Sequence, residues 1–190
     1  MSLEQEVKLS YPGVEAARQA VEAAGGRLVV SRRLLDDRFF DTHDSALRQA
    51  GQGLRVRRDG TRATLTWKGA VQPNAVKVRE EIETDCTDAD TLSALLGALG
   101  YLPRFRAQKY REEYDVDGAL VTVDETPVGV FVEIEADAGR IPQVAARLGR
   151  TQADYELASY VTLWRRARKA LGLPFTDMMF DTTRRASPAS

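Results

Sequence analysis

Polar and apolar residues alternate from the start of the chain. In LEQEVKLS, Glu4, Glu6, Lys8 and Ser10 share one parity, and Gln5, Val7 and Leu9 the other. Successive side chains of a strand point to opposite faces, so this segment reads as a strand with one charged and one apolar face. The same period predicts strands near 3–10, 28–41, 53–59, 62–68, 76–85, 104–116, 119–124 and 128–136. Arg58-Asp59-Gly60 and Val116-Asp117-Gly118 are hairpin turn signals between them. Elsewhere the period becomes helical. Residues 13–26 place Val14, Ala17, Val21 and Ala24 on one face before a Gly-Gly stop. Residues 87–99 have Thr87 or Asp88 as a cap and Gly100 as an end. A short helix is expected from Ile141, and a longer one over 154–171.

The charged parity repeats from strand to strand. Arg55 and Arg57 oppose Leu54 and Val56. Thr64, Thr66 and Lys68 oppose Leu65 and Trp67. Lys77, Arg79, Glu81 and Glu83 oppose Val78 and Ile82. Lys109, Arg111 and Glu113 oppose Tyr110 and Tyr114. Thr122 and Asp124 oppose Val121 and Val123, and Glu133 and Glu135 oppose Val132 and Ile134. Glu80, Glu112 and Arg58 have the opposite parity and belong on the outer surface. For any one strand, a solvated polar face over a helix-backed apolar one explains the pattern. For the whole set two features count against it. The charged faces use Glu, Arg and Lys almost without Ser, Asn or Gln. The number of strands is also near eight, enough to close a barrel with no free edges. Four amphipathic helices would cover its apolar outside, and the charged face would be the inside. The fold expected is α+β, mainly antiparallel β: a closed eight-stranded β-barrel with flanking helices.

Composition narrows the partners. The 27 basic and 28 acidic residues give a formal charge of −1, so no coat for a nucleic-acid polymer or a membrane is expected. The lone Cys86 cannot close an internal disulfide, which fits a reducing cytoplasm, and with the lone His43 it argues against structural zinc. The N-terminus shows no basic stretch followed by an apolar run, so no secretory leader is expected. One domain over 1–175 is expected, then a polar tail at 176–190 that is partly disordered. A lumen lined by many acids and as many bases is costly unless the charges pair or hold something. A phosphate chain with a divalent metal satisfies both signs. Arg and Lys donate to phosphate oxygens, and carboxylates give hard oxygen ligands to Mg²⁺.

EQEVK resembles the Glu-x-Glu-x-Lys signature of the CYTH superfamily, the triphosphate tunnel metalloenzymes. That superfamily includes class IV adenylyl cyclases, thiamine triphosphatases and inorganic triphosphatases. FFDTHDSALRQAGQGLRVRR, LTWKG, REEIE, KYR, DETPVGVFVEIE and the ASY triplet at 158–160 follow in family order. Phe39 stands at a usual tyrosine. The resemblance implies an eight-stranded tunnel that binds triphosphate inside. It implies that Lys8, Arg55, Arg57, Lys68, Lys109 and Arg111, joined by Arg79, hold the phosphates. It implies that Glu4, Glu6, Glu81, Glu83, Asp124, Glu133 and Glu135 hold one or two Mg²⁺ or Mn²⁺ ions. Glu4, Glu6 and Lys8 then carry catalysis, with Glu4 and Glu6 partly holding a second metal that positions and acidifies the attacking water. The function expected is a metal-dependent triphosphatase acting on inorganic triphosphate or a small organic triphosphate. The alternatives are a class IV adenylyl cyclase and a polyphosphate- or nucleotide-binding module without turnover. A homodimer stays open.

Overall fold

The structure is a computed structural model and describes residues 2–181. Eight strands close an antiparallel barrel: β1 (Ser2–Tyr11), β2 (Arg27–Asp41), β3 (Gly53–Asp59), β4 (Arg62–Lys68), β5 (Lys77–Cys86), β6 (Leu102–Val116), β7 (Ala119–Thr126) and β8 (Gly129–Glu135). Around the barrel they run β1-β5-β4-β3-β2-β6-β7-β8. Short turns set the local pairings. Asp117 and Gly118 both have positive φ (57° and 81°), the twist that a two-residue hairpin between β6 and β7 requires. The closing pairings join remote segments: β1 meets β5 from Ser2↔Glu81 to Glu6↔Lys77, and β8 from Glu6↔Glu135 to Tyr11↔Val130.

The apolar parity faces outward and helices cover it. Helix α1 (Val14–Ala23) and helix α4 (Ile141–Arg147) bury Ala17, Val21, Ile141 and Val144 against Val7, Leu9, Val121, Val132 and Ile134. Between them in sequence, α2 (Ala46–Gln49) is a single turn that the alternation did not predict. Helix α3 (Ala89–Ala98) packs Leu92 and Leu96 on Phe40, Leu54 and Val56, and Asp88 caps it by accepting from the Asp90 and Thr91 amides.

The last helix departs from expectation. Instead of starting at 154, α5 spans Tyr160–Ala170. Ser159 caps it, accepting from the Thr162 amide. Residues 152–154 form a 3₁₀ turn, and the chain beyond runs extended, so that Glu156 trades two backbone hydrogen bonds with Lys8 (3.1 and 2.9 Å). Helix α5 therefore does not join the outer cover. It lies over one end of the barrel, where Tyr160, Val161 and Trp164 meet Phe39, Phe105 and Met178. The expected tail begins on structured chain: Met178 is buried and its backbone pairs with Arg106 and Gln108 on β6. Residues 182–190 of that tail lie outside the described residues. Glu112 also departs from expectation. It is outside the lumen but buried, accepting hydrogen bonds from Arg18 of α1 and from the Tyr114 hydroxyl.

Candidate functional site: a charged lumen

The charged parity read on the seven strands other than β2 points into the barrel, and on β2, where charges fall on both faces, Asp37 joins it through Arg57. On the β1 side, Glu4 and Glu6 are under a tenth exposed and Lys8 is 2% exposed. Lys68 Nζ lies 2.6 Å from Glu4 Oε1 and 2.7 Å from Glu81 Oε2, and Arg79 Nε donates to Glu4 Oε2 at 2.7 Å. Lys8 Nζ lies 3.1 Å from Glu6 and 3.0 Å from Glu133, and Lys77 also donates to Glu6.

Across the lumen, Arg57 donates twice to Asp37, at 2.7 and 2.8 Å. Arg55 donates to Thr66 Oγ1 at 3.0 Å and stands 3.7 Å from Glu83 and 3.8 Å from Asp37. Lys109 donates to Asp124 at 2.8 Å. Arg111 donates to Asp124 at 2.7 and 2.6 Å and also to Glu133. Every basic residue that the sequence singled out thus has a carboxylate within 4 Å.

The electrostatics separate two kinds of acid. Burial and the neighbouring Glu6 push the Glu4 carboxyl up, but Lys68 and Arg79 outweigh them and hold it at about 2. Glu6 and Glu133 are likewise held down against burial, chiefly by Lys8. Asp37 is held down against burial by Arg57 and Arg55. Glu81 and Glu135 go the other way. Burial, then Glu4, leaves the Glu81 carboxyl raised although Lys68 opposes it. Loss of hydration at the barrel wall, then Glu4 and Glu6, pushes Glu135 up, although that residue stays exposed on one side. Among the bases, burial lowers Lys77 and Lys109 to about 8, each helped by a neighbouring cation, Lys8 and Arg111 respectively.

The two ends of the lumen differ. Glu83 on β5 has a side chain 49% exposed, so that end opens to water. At the other end Tyr160 covers Lys8 and Lys109, its ring centre 5.2 and 5.0 Å from their ammonium groups and its hydroxyl donating to Asp124 at 2.9 Å. Three inward-facing residues keep a buried donor with no partner among the described residues: Arg55 Nε, Arg33 Nη1 and Thr122 Oγ1. Buried polar groups are normally satisfied, and each of these donors could serve a ligand oxygen.

The structure brings Glu4, Glu6, Lys8, Lys68, Arg79 and Glu81 together on one wall. It places Arg55 and Arg57 on another, and Lys109, Arg111, Asp124 and Glu133 on a third; Glu83 and Glu135 stand toward the open end. Sequence reasoning did not assign Asp37, which grips Arg57, or Lys77, which grips Glu6. It left Tyr160 between tunnel and packing roles. The signal for Lys77 was its parity with Arg79; Asp37 sits in LLDDRFFD, whose doublets obscure the alternation.

Comparison with known proteins places this geometry. The sequence model of the CYTH domain matches residues 2–157. Adenylate cyclase CyaB of Aeromonas hydrophila is 29% identical over 173 residues, covering 84% of this chain and 87% of that protein. Among solved structures, a Pyrococcus horikoshii protein matches with a TM-score of 0.71 at 27% identity, over 87% of this chain and 99% of that one. The candidate adenylyl cyclase HpAC1 of Hippeastrum, described as having a dominant triphosphatase activity, matches with a TM-score of 0.66 at 18% identity, over 88% of this chain and 96% of that one.

Proposed function

This chain belongs to the CYTH family, and we propose that it acts there as a divalent-metal-dependent triphosphatase on inorganic triphosphate or a small organic triphosphate. The observation that supports this most is the closed lumen itself. Its cations are each held by a carboxylate, and Arg55 and Thr122 keep buried donors in reserve. A phosphate chain can take over those cations one by one, through hydrogen bonds shorter and stronger than neutral ones.

The acids suit a metal by their chemistry. Glu4, Glu6, Glu81 and Glu135 lie on three neighbouring strands, and burial with the neighbouring carboxylates leaves two of them raised. These are hard oxygen donors of the kind Mg²⁺ or Mn²⁺ takes. Among the described residues no three acidic, His or Cys side chains converge as ligands. Lys68 stands between Glu4 and Glu81, and Lys8 and Lys77 both reach Glu6. Phosphate oxygens that drew Lys68 and Arg79 away would free Glu4 and Glu81. A bound dication supplies neutralisation of developing charge and a more acidic water.

The chain's own residues do the rest. Arg55, Arg57, Lys109 and Arg111 bind the phosphates and hold them extended, since phosphoryl transfer needs positioning and charge stabilisation more than covalent help. Lys8, between Glu6 and Glu133, fixes one phosphate beside the acidic wall. Tyr160 covers one end and limits water there.

A second reading, adenylyl cyclisation, is favoured by the likeness to the Aeromonas cyclase. The ribose 3′-hydroxyl of ATP would attack the α-phosphate and pyrophosphate would leave. Against it, the aromatic rings at the covered end are engaged with one another. Phe39 packs on Phe105 at 5.8 Å and Phe131 on Tyr160 at 5.5 Å between centroids.

Steady-state hydrolysis of inorganic triphosphate by two variants tests the assignment. Glu4→Gln should lower kcat by about 100-fold or more, the size of a lost metal contribution of about 3 kcal/mol. Arg55→Gln should instead raise KM roughly 10- to 100-fold, the value of one charged hydrogen bond. An intact kcat in Glu4→Gln at saturating metal would sink the role of Glu4.

A further inference from the structure

Outside the barrel wall lies a second cavity, of about 340 Å³, that the tunnel chemistry does not use. Its size falls in the range of small-molecule sites, roughly 300–1,000 Å³. Three pieces of chain form it: the loop before β5 with Asn74 and Val76, the exposed face of α4 with Pro142 and Ala146, and the segment around Gln152 and Tyr155. Most of its surface is apolar, from Val76, the alanines, Pro142 and the half-buried ring of Tyr155.

Polar groups stand at its edges. The Asn74 side-chain oxygen accepts from the Ala75 amide, and its NH₂ group and the side-chain amide of Gln152 stand exposed at the rim. A side-chain amide offers a donor and an acceptor together, the pairing that matches the edge of a nitrogen heterocycle. Arg150 closes one side. It is fixed by its hydrogen bond to the Ser10 carbonyl at 3.2 Å, by Asp154 at 3.9 Å and by stacking on the Tyr11 ring at 4.7 Å.

Two walls of the cavity continue into the lumen. Val76 is followed by Lys77, whose ammonium reaches Glu6. Tyr155 is followed by Glu156, whose backbone is hydrogen-bonded both ways to Lys8. A solute that presses on Val76 and Tyr155 therefore presses on the chain that aims two lumen lysines.

We propose that this cavity binds a small, flat, heteroaromatic compound without a phosphate chain, and that its occupancy alters how the tunnel holds its substrate. The cavity's lining includes none of the charged residues of the lumen, so it is a separate site from the one that takes the phosphate chain. The two sites are linked by conformation, and the coupling is reciprocal.

Adenosine is the probe: it carries the ring and its hydrogen-bonding edge but no phosphate. Calorimetric titration of the full chain should give one site with a Kd on the order of 0.1 mM, the affinity expected of a ligand of this size. Ala146→Trp, an exposed helix position that tolerates the ring and fills the cavity, should weaken binding at least about tenfold. Gln152→Ala, also exposed, should weaken it about three- to tenfold. The tunnel variant Arg55→Gln should bind adenosine like wild type, so this arm stands whether or not the protein is a triphosphatase. In the activity arm, saturating adenosine should change the KM for triphosphate at least about twofold in wild type and leave it unchanged in Ala146→Trp. No saturable binding, wild-type binding by Ala146→Trp, or loss of binding in Arg55→Gln would overturn the site. An unchanged KM with adenosine bound would overturn the coupling.

Discussion

Asp37→Asn makes the most informative single perturbation of the lumen. Asp37 is 6% exposed, receives two hydrogen bonds from Arg57 at 2.7 and 2.8 Å, and stands 3.8 Å from Arg55. Asparagine keeps the shape and removes the charge. Two guanidinium groups, with side chains only 16% and 13% exposed, then lose their shared counter-charge. Removing one partner of a buried ion pair costs about 3–5 kcal/mol, because the remaining charge is left uncompensated. In a chain of 190 residues that loss lowers Tm by roughly 6–20 °C, at about 2–4 °C per kcal/mol. Inorganic triphosphate should reverse much of it, since its oxygens replace the missing carboxylate. In wild type, ligand at 100 times Kd adds about 2.7 kcal/mol; in Asp37→Asn it should add more, because Arg57 no longer has to leave a partner. Thermal melts of both proteins with and without triphosphate measure all four values. If the variant melts with wild type, or if triphosphate raises both by the same amount, then the lumen acids are not counter-ions that a phosphate chain displaces.

Tyr160→Phe keeps the ring over Lys8 and Lys109 and removes only the hydroxyl that donates to buried Asp124; urea unfolding should show a loss of about 1–3 kcal/mol. A pH series tests Glu112. Its hydrogen bonds from Arg18 hold the carboxyl below the ordinary 4.5. That stability is present above 4.5 and lost as pH falls through the lower folded value. The stability deficit of Glu112→Gln in urea should therefore be full at neutral pH and shrink in acid; a constant deficit would contradict the assignment.

Eight strands were legible because their alternation is long and nearly unbroken; parity put Glu4, Lys8, Arg55, Lys68 and Glu133 each on the charged face of its strand, and the strand count together with the family resemblance turned those faces inward. Which of them would touch was not legible. Lys68 meets Glu4 across 64 positions and Lys77 meets Glu6 across 71, and those pairings follow from barrel closure rather than from local pattern. Asp37 escaped notice because Asp36-Asp37 and Phe39-Phe40 offer an acid and a ring to both faces. The register shift between Phe39 and Phe40 against β6 belongs to the same stretch. Parity gave Glu112 the correct side of the sheet but not its burial, which α1 imposes from above. In YELASY the apolar spacing suits a helix, yet Ser159 is a strong cap and Lys8 offers backbone hydrogen bonds to Glu156, so the helix starts only at Tyr160.

The most direct test of the proposed function is a product census. The purified protein is incubated with inorganic triphosphate and, separately, with ATP, each with Mg²⁺ or Mn²⁺. Phosphate, pyrophosphate and cyclic AMP are quantified together. Metal-dependent release of phosphate from triphosphate, with little cyclic AMP from ATP, is the expected result. Cyclic AMP with stoichiometric pyrophosphate from ATP, and no phosphate from inorganic triphosphate, would contradict it and make the tunnel a cyclase.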